Sequence, residues 1–472
     1  MHIVFLNPQG NFDPKDSYLA EHPDFGGQLV YVKEVAIAMA KLGHRVDIVT
    51  RRIDDPDWPE FKEAQDYYAH SPDNPRIVRI DCGGPGFLPK EKLWPHLQEF
   101  VDNLLVFYGD DKPDFATSHY ADGGYCAALM FLKGGSGFTF TGHSLGAQKL
   151  DKLGASPDNI DAMDDRYHFS TRIAAERYAM QFASKIITST NQERNEQYAH
   201  PLYEGAVDVK DDAKFSVIPP GVNLSIFNRE QQEPDANYHD KFLELVGGKE
   251  QPWILLSSRL DEKKNIIGAV RAYADDDALQ KKSGLAIFIR GVDDPFASIS
   301  ALSENEQQVL QPILDIIEES GVRNNTVFLN IQSQLELASA YRWFATRGSV
   351  FALTAFYEPF GLAPIEAAAC GLACVATQNG GPSEIFEDGS GVLVDPFDAG
   401  DIARGLNEAL DNASTLATQG YKRVIEKYTW NKTAEGYLKA IESGRHQPTK
   451  EVSTEMVLDE RQRIDRYLLN SQ

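Results

Sequence analysis

The chain has 472 residues, and at roughly 100–200 residues per domain it should hold two or three domains with ample core, which excludes a disulfide-stapled miniprotein. Lysine and arginine number 46 against 70 aspartates and glutamates, and a formal charge of −24 opposes general binding to nucleic acid or an anionic membrane surface. A hydrophobic content of 42% excludes a disordered chain.

From the amino terminus, β-branched runs alternate with helical patterns: HIVFL, RVDIVT, RIVRI, FATSHY, FTFTGH and KIITST. Such alternation predicts a parallel sheet covered by helices. The helix after the first run carries Leu29, Val32, Val35, Ala36, Met39 and Ala40 at three- and four-residue steps and stops at Gly43. The first series closes at FSVIPPGVNLSIF, where Pro219, Pro220 and Gly221 punctuate a strand. A polar stretch from Asn228 to Gln251 then separates it from a second series: WILLSS, LAIFIRG, TVFLNI, SVFALT and ACVAT. After Val394 the pattern is helical, and the tail from His446 to Gln472 is polar and weakly amphipathic.

These runs divide the chain into an amino-terminal Rossmann-like domain over residues 1–226 and a second over 227–444, with a tail from about 445 to 472 that packs back on the first. The polar interval around residues 222–252 reads as the hinge between them. Doubly wound sheets bind ligands beyond the carboxyl ends of their strands, so two of them facing a central cleft would offer a nucleotide half-site and a second small-molecule half-site. The reaction must come from residues.

Arg259 and Lys264 follow the strand WILL in SSRLDEKKN, where cations at a strand's carboxyl end meet a bound phosphate group. Glu358 and Glu366 stand eight apart in FYEPFGLAPIE, between the strand SVFALT and the helix IEAAACG. Glu366 opens the helix and Glu358 lies in the loop before it, where carboxylates accept hydrogen bonds from sugar hydroxyls. The alternatives are a solvated charged turn for the first pair and an N-terminal helix charge plus a loop acid for the second.

The order R-x-x-x-x-K then E-x-x-x-x-x-x-x-E with F-G-L inside it resembles the donor site of retaining GT-B glycosyltransferases of the sucrose-synthase and glycogen-synthase group. The resemblance implies an α/β GT-B fold in which Arg259 and Lys264 hold the sugar nucleotide's diphosphate, Glu358 contacts the transferred sugar and Glu366 binds ribose hydroxyls. It places Gly27, Phe360, Gly361 and Leu362 along the donor and His143 beneath the donor sugar, its backbone carbonyl facing the anomeric carbon. The segment NPQGNFDPKDSYLAEHPDFGGQLVYVKE, with FLPKEKLWP, SHYADGG, FTGHSLGAQK and IPPGVN in order, resembles the sucrose-phosphate synthase family over about residues 1–440.

That resemblance implies UDP-glucose, with ADP-glucose as the alternative, as donor and fructose 6-phosphate as acceptor, with Gly26, Gly27, Gln28, Lys90, Tyr120, Lys149 and Arg172 at the acceptor. A phosphate dianion needs cations in a chain this acidic, and Lys152 and Arg177 are further candidates, each also readable as a surface ion-pair residue. Sucrose synthase and mannosylfructose-phosphate synthase are the neighbouring alternatives, and a non-catalytic nucleotide-sugar sensor is a third. No resident cofactor and no metal is expected. The reaction implied needs no protein nucleophile, and a separate sucrose-phosphate phosphatase would complete the conversion.

Two motifs point elsewhere. Gly142-His143-Ser144-Leu145-Gly146 after FTFT matches the G-x-S-x-G nucleophile elbow, and an α/β-hydrolase on Ser144 would need an acid and a downstream histidine, for which His446 is the carboxyl-terminal candidate. Asp275-Asp276-Asp277 resembles a metal-holding acidic triplet but ends a helix, and reads as a solvated helix end. Cys82, Cys126, Cys370 and Cys374 make no disulfide framework, and the start MHIVFLNPQG has no basic segment before an apolar core, so a cytoplasmic protein is expected. The apolar stretch 361–375 is broken by Pro364 and Glu366 and is shorter than the roughly 20 residues of a membrane span.

Overall fold

Strands β1 (His2–Leu6), β2 (Arg45–Arg51), β3 (Gln65–Tyr67), β4 (Arg76–Ile80), β5 (Phe115–His119), β6 (Phe138–Thr141), β7 (Lys185–Thr188) and β8 (Phe215–Val217) form an 8-stranded sheet in the order β3-β4-β2-β1-β5-β6-β7-β8. Every pairing is parallel except β3 with β4. The computed structural model describes residues 1–17, 27–68, 74–233, 235–444 and 456–470. All five residues of β1 and of β5 are buried, because a parallel sheet carries helices on both faces and its central strands meet no water.

The second sheet comprises β9 (Trp253–Ser257), β10 (Gly284–Ile289), β11 (Thr326–Asn330), β12 (Val350–Leu353), β13 (Ala373–Thr377) and β14 (Val392–Val394) in the order β11-β10-β9-β12-β13-β14, all parallel. This is the doubly wound order in which the first strand is central and the chain reverses direction beside it. The reversal puts the loops after β9 and β12 side by side, and in the first sheet those after β1 and β5. Separate apolar clusters fill the two faces of the second sheet, one around Trp253, Phe288 and Phe351 and the other around Ile254, Ile287 and Val375.

The chain forms two compact units, Met1–Ile218 with Thr433–Gln472, and Pro219–Lys432. The division therefore falls at 218/219 and not at 226/227, and the chain returns to the first unit at 433 and not at 445. Helix Trp430–Gly444 returns because its buried Tyr437 hydroxyl bonds Thr141 Oγ1 (2.6 Å) and takes a bond from Tyr31 (3.1 Å), while Gly444 lies against Ser184. The polar interval expected to be a hinge also belongs to the second unit. Helix Asp235–Leu245 buries Phe242 there, and Asp235 takes two hydrogen bonds from Arg342 (2.6 and 2.7 Å). In the tail, helix Arg461–Asn470 buries Ile464 and Leu468 in the first unit's core.

Strands β3 and β14 have no sequence signal of their own, being three-residue edge strands too short for periodicity. Among the described residues no helix is long and apolar enough to cross a membrane.

Candidate active site

In the second unit, the loop after β9 runs into one helical turn, Glu262–Lys264, opened by the Asp261 side chain accepting from the Lys263 amide. Lys264 Nζ donates to Glu358 Oε2 at 2.7 Å, so one of the predicted cations and one of the predicted acids meet directly. Asn265, buried with φ +50°, donates through Nδ2 to the carbonyls of Thr354 (3.1 Å) and Pro396 (2.8 Å), and its own carbonyl accepts from Thr354 Oγ1 (3.0 Å). This one side chain ties the loops after β9, β12 and β14 together. Arg259 is exposed and lines a groove of about 790 Å³ with Phe356 and the helix Glu304–Glu319. Lys264 and Glu366 are not among the residues lining that groove.

The Glu358 loop is held by backbone. Glu358 donates its amide to Asn379 O (3.1 Å), and its carbonyl accepts from the Gly381 amide (2.9 Å). Gly380 has φ +100°, and a Cβ there would stand 2.0 Å from the Glu358 carbonyl oxygen, so only glycine fits. Neither Asn379-Gly380-Gly381 nor Asn265 was assigned a role from sequence, although N-G-G after a strand is a readable turn signal. Phe360 packs its ring into the core against Tyr428 and Leu362 is exposed at the start of helix Leu362–Ala369, with Gly361 just before it. Glu366 lies in that helix with no hydrogen bond or ion pair to its carboxylate among the described residues, and burial pushes the carboxyl up to about 8.

In the first unit, His143 follows β6 with φ +56° and bonds His119 through its Nε2 (2.9 Å), and His119 Nε2 bonds Thr117 Oγ1 (2.9 Å). Tyr31 meets the His143 ring edge-on at 4.9 Å. Burial drives His119 well below its ordinary value and His143 to about 4, so both rings are neutral at pH 7. Gly123 lets helix Tyr120–Leu132 approach the end of β1, since a Cβ there would lie 2.5 Å from the Leu6 carbonyl oxygen. In the first turn of this helix, the Asp122 carboxylate is buried beside the backbone amides of Gly123 and Gln9, and burial raises it to about 6 although those amides and Arg172 oppose the shift.

Arg172 is buried, with its guanidinium 4.7 Å from the centre of the Tyr120 ring. It donates to Glu176 Oε1 (3.0 Å) and to the Ser144 carbonyl (2.6 Å). Glu176 also accepts from the Gly146 amide (2.9 and 3.0 Å) and from the Tyr203 hydroxyl. Burial lowers the Lys149 ammonium, and the charges of Arg172 and Lys90 lower it further while Glu91 opposes them, so both cations act on Lys149. Arg177 is drawn away from them: it donates to the Leu202 and Glu204 carbonyls and pairs with Glu460 at 2.9 Å. Lys152 is exposed on the far end of its helix. Gly27 opens helix Gly27–Lys41, and Gln28 Nε2 is buried with no partner among the described residues. Gly26 lies outside the described residues.

The hydrolase elements are not assembled. Ser144 is exposed, its hydroxyl bonds no histidine among the described residues, and the left-handed residue of the turn is His143 and not the serine an elbow requires. His446 lies outside the described residues. Asp276 caps helix Asp277–Lys282 by accepting from the Ala278 and Leu279 amides (2.8 and 3.0 Å). All four cysteines are free and buried.

A family model described as glycosyl transferases group 1 matches residues 241–427, and one described as the sucrose synthase first GT-B domain matches residues 86–246. Among solved structures, a sucrose-phosphate synthase from Thermosynechococcus elongatus superposes with TM-score 0.62 at 23% identity, covering 93% of this chain and 97% of that one. Anabaena HepE in complex with UDP superposes with TM-score 0.61 at 17% identity over 94% and 100%. Fold and family models together make this a GT-B glycosyltransferase, an enzyme that transfers a hexose.

A probable sucrose-phosphate synthase of Thermosipho melanesiensis is 45% identical over 445 residues, which cover 94% of this chain and 96% of that one. The chain belongs to the sucrose-phosphate synthase family. Sucrose-phosphate synthase 4 of Arabidopsis thaliana is 30% identical over 98% of this chain, which spans 49% of that relative's length.

Proposed function

We propose that the chain transfers glucose from UDP-glucose to fructose 6-phosphate, giving sucrose 6-phosphate and UDP with retention at the anomeric carbon. The observation that carries the acceptor is that Lys90 and Arg172 both act on the Lys149 ammonium in a chain of net charge −24, which offers a phosphate dianion cations to meet. In this reading Arg259 and Lys264 stabilise the diphosphate as the glycosidic bond breaks, Glu358 contacts the glucose and Glu366 takes the ribose hydroxyls. The acceptor hydroxyl attacks on the face from which UDP departs and passes its proton to the leaving phosphate oxygen. No side chain forms a bond to the sugar, and no metal or resident cofactor takes part. Four free buried cysteines suit the reducing cytoplasm. Sucrose 6-phosphate would then be the substrate of a separate phosphomonoester hydrolase.

A panel of nucleotide sugars and acceptors with product identification tests the reading. The expected product is sucrose 6-phosphate from UDP-glucose and fructose 6-phosphate. Faster turnover of free fructose would move the assignment to sucrose synthase, and mannose transfer would move it to mannosylfructose-phosphate synthase.

A further inference from the structure

Arg51 ends β2 and is 2% exposed, yet among the described residues none of its side-chain hydrogen bonds goes to a carboxylate. Its Nε donates to the Cys82 carbonyl (2.9 Å), and its Nη2 donates to the carbonyls of Gly84 (2.7 Å) and Gly86 (2.8 Å). A desolvated cation without a counter-ion is costly, and an apolar side chain of similar volume would fill the same space without that cost. The arginine is explained by what it holds, because a planar fork can gather three carbonyls of one loop.

The same loop is pinned from its other side by the Asp54 amide on Pro85 O (2.8 Å) and by Asp55 Oδ2 taking the Phe87 amide (3.1 Å). Three residues beyond Phe87 comes Lys90. The end of β2 also grips the loop after β1: Asn11 Nδ2 donates to the Arg51 carbonyl (2.7 Å) and Thr50 Oγ1 to the Gly10 carbonyl (2.9 Å). Arg51, Lys90, Gln9 and Gly10 line one small cavity between these two loops.

We propose that Arg51 is a positioning residue for phosphorylated acceptors: its fork fixes the loop 82–87, and with it the place of Lys90 in the cation cluster. Its charge, hydrogen-bonded to no carboxylate among the described residues, lies at the same small cavity as Lys90. The inference rests on the acceptor reading above and deepens it, since neither the sequence motifs nor the family resemblance assigned Arg51 a role.

The test is steady-state kinetics of Arg51→Lys with fructose 6-phosphate and with UDP-glucose. A lysine keeps the charge but cannot reach all three carbonyls, so the KM for fructose 6-phosphate should rise about tenfold, the worth of one charge-assisted hydrogen bond, while the KM for UDP-glucose moves less than about twofold. Adding Lys90→Ala to Arg51→Lys should cost much less than it costs the unaltered enzyme, because the two residues act on one phosphate. A purely structural arginine would lower kcat through the active fraction and leave the acceptor KM alone, and that result overturns the proposal. If Arg51→Lys does not fold, Asp55→Ala reads the same loop from its solvent side, and an unchanged fructose 6-phosphate KM there overturns it as well. An unaltered enzyme indifferent to the acceptor's phosphate would overturn the acceptor reading and this inference together. One that prefers the phosphate while Arg51→Lys raises both KM values equally would overturn this inference alone.

Discussion

Replacing Glu366 by glutamine removes a desolvated carboxyl in helix Leu362–Ala369 that has no ion pair among the described residues. Burial raises its pKa from the ordinary 4.5 to about 8, so the folded protein keeps a proton that the unfolded chain gives up. Below pH 4.5 both states are protonated and the carboxyl has no effect on stability. As pH rises toward 8 the unfolded chain ionises first, and folding loses free energy at about 1.4 kcal/mol per pH unit. Between pH 5 and pH 8 the loss amounts to at most about 3.5 kcal/mol, and glutamine, which does not titrate, escapes it. For a unit of this size each kcal/mol corresponds to about 2–4 °C in Tm. Thermal unfolding of the nucleotide-free protein at pH 5 and pH 8 should therefore show Glu366→Gln pulling ahead of the unaltered chain as pH rises, while its KM for UDP-glucose increases. A Tm difference independent of pH, or one that moves in favour of the unaltered chain at pH 8, would refute the reasoning.

Gly380→Ala puts a methyl group 2.0 Å from the Glu358 carbonyl at a φ of +100°, which should displace the Glu358 loop and lower kcat/KM for UDP-glucose by about 10²-fold, since misplacement by an ångström is enough. Circular dichroism should show the fold retained. Lys264→Met removes the cation proposed to meet the diphosphate and leaves Glu358 without the partner it holds at 2.7 Å, and turnover should fall roughly 10²–10³-fold; near-normal kcat would take Lys264 out of the mechanism. Ser144→Ala should keep transferase turnover close to that of the unaltered enzyme, because the Ser144 side chain is exposed and bonds no histidine among the described residues. An esterase activity abolished by the same change would instead support the nucleophile elbow.

Much of this enzyme is legible along the chain. Runs such as HIVFL and WILLS are apolar on both faces, and only strands sandwiched between helices tolerate that, so two parallel sheets follow from composition alone. The donor motifs are equally local. Lys264 and Glu358 stand 94 positions apart, but each sits just after a strand, and neighbouring strands of one sheet bring such ends together by rule. The sequence itself thus determined the fold class, the family and the meeting of Lys264 with Glu358.

Tertiary structure decided what depends on the partner of a face or a charge. Periodicity marked 430–444 as helical but could not say which core its Tyr437 would enter, and so the chain's return to the first unit stayed hidden. Arg172, Arg177 and Arg51 are one residue type in helical or strand context, yet one joins a cation cluster beside Tyr120, one straps Glu460 in the tail, and one braces the loop that leads to Lys90. A guanidinium's role is set by the carbonyls and carboxylates within three ångströms of it. Those come from residues far away in the chain, which leave no mark on the local pattern.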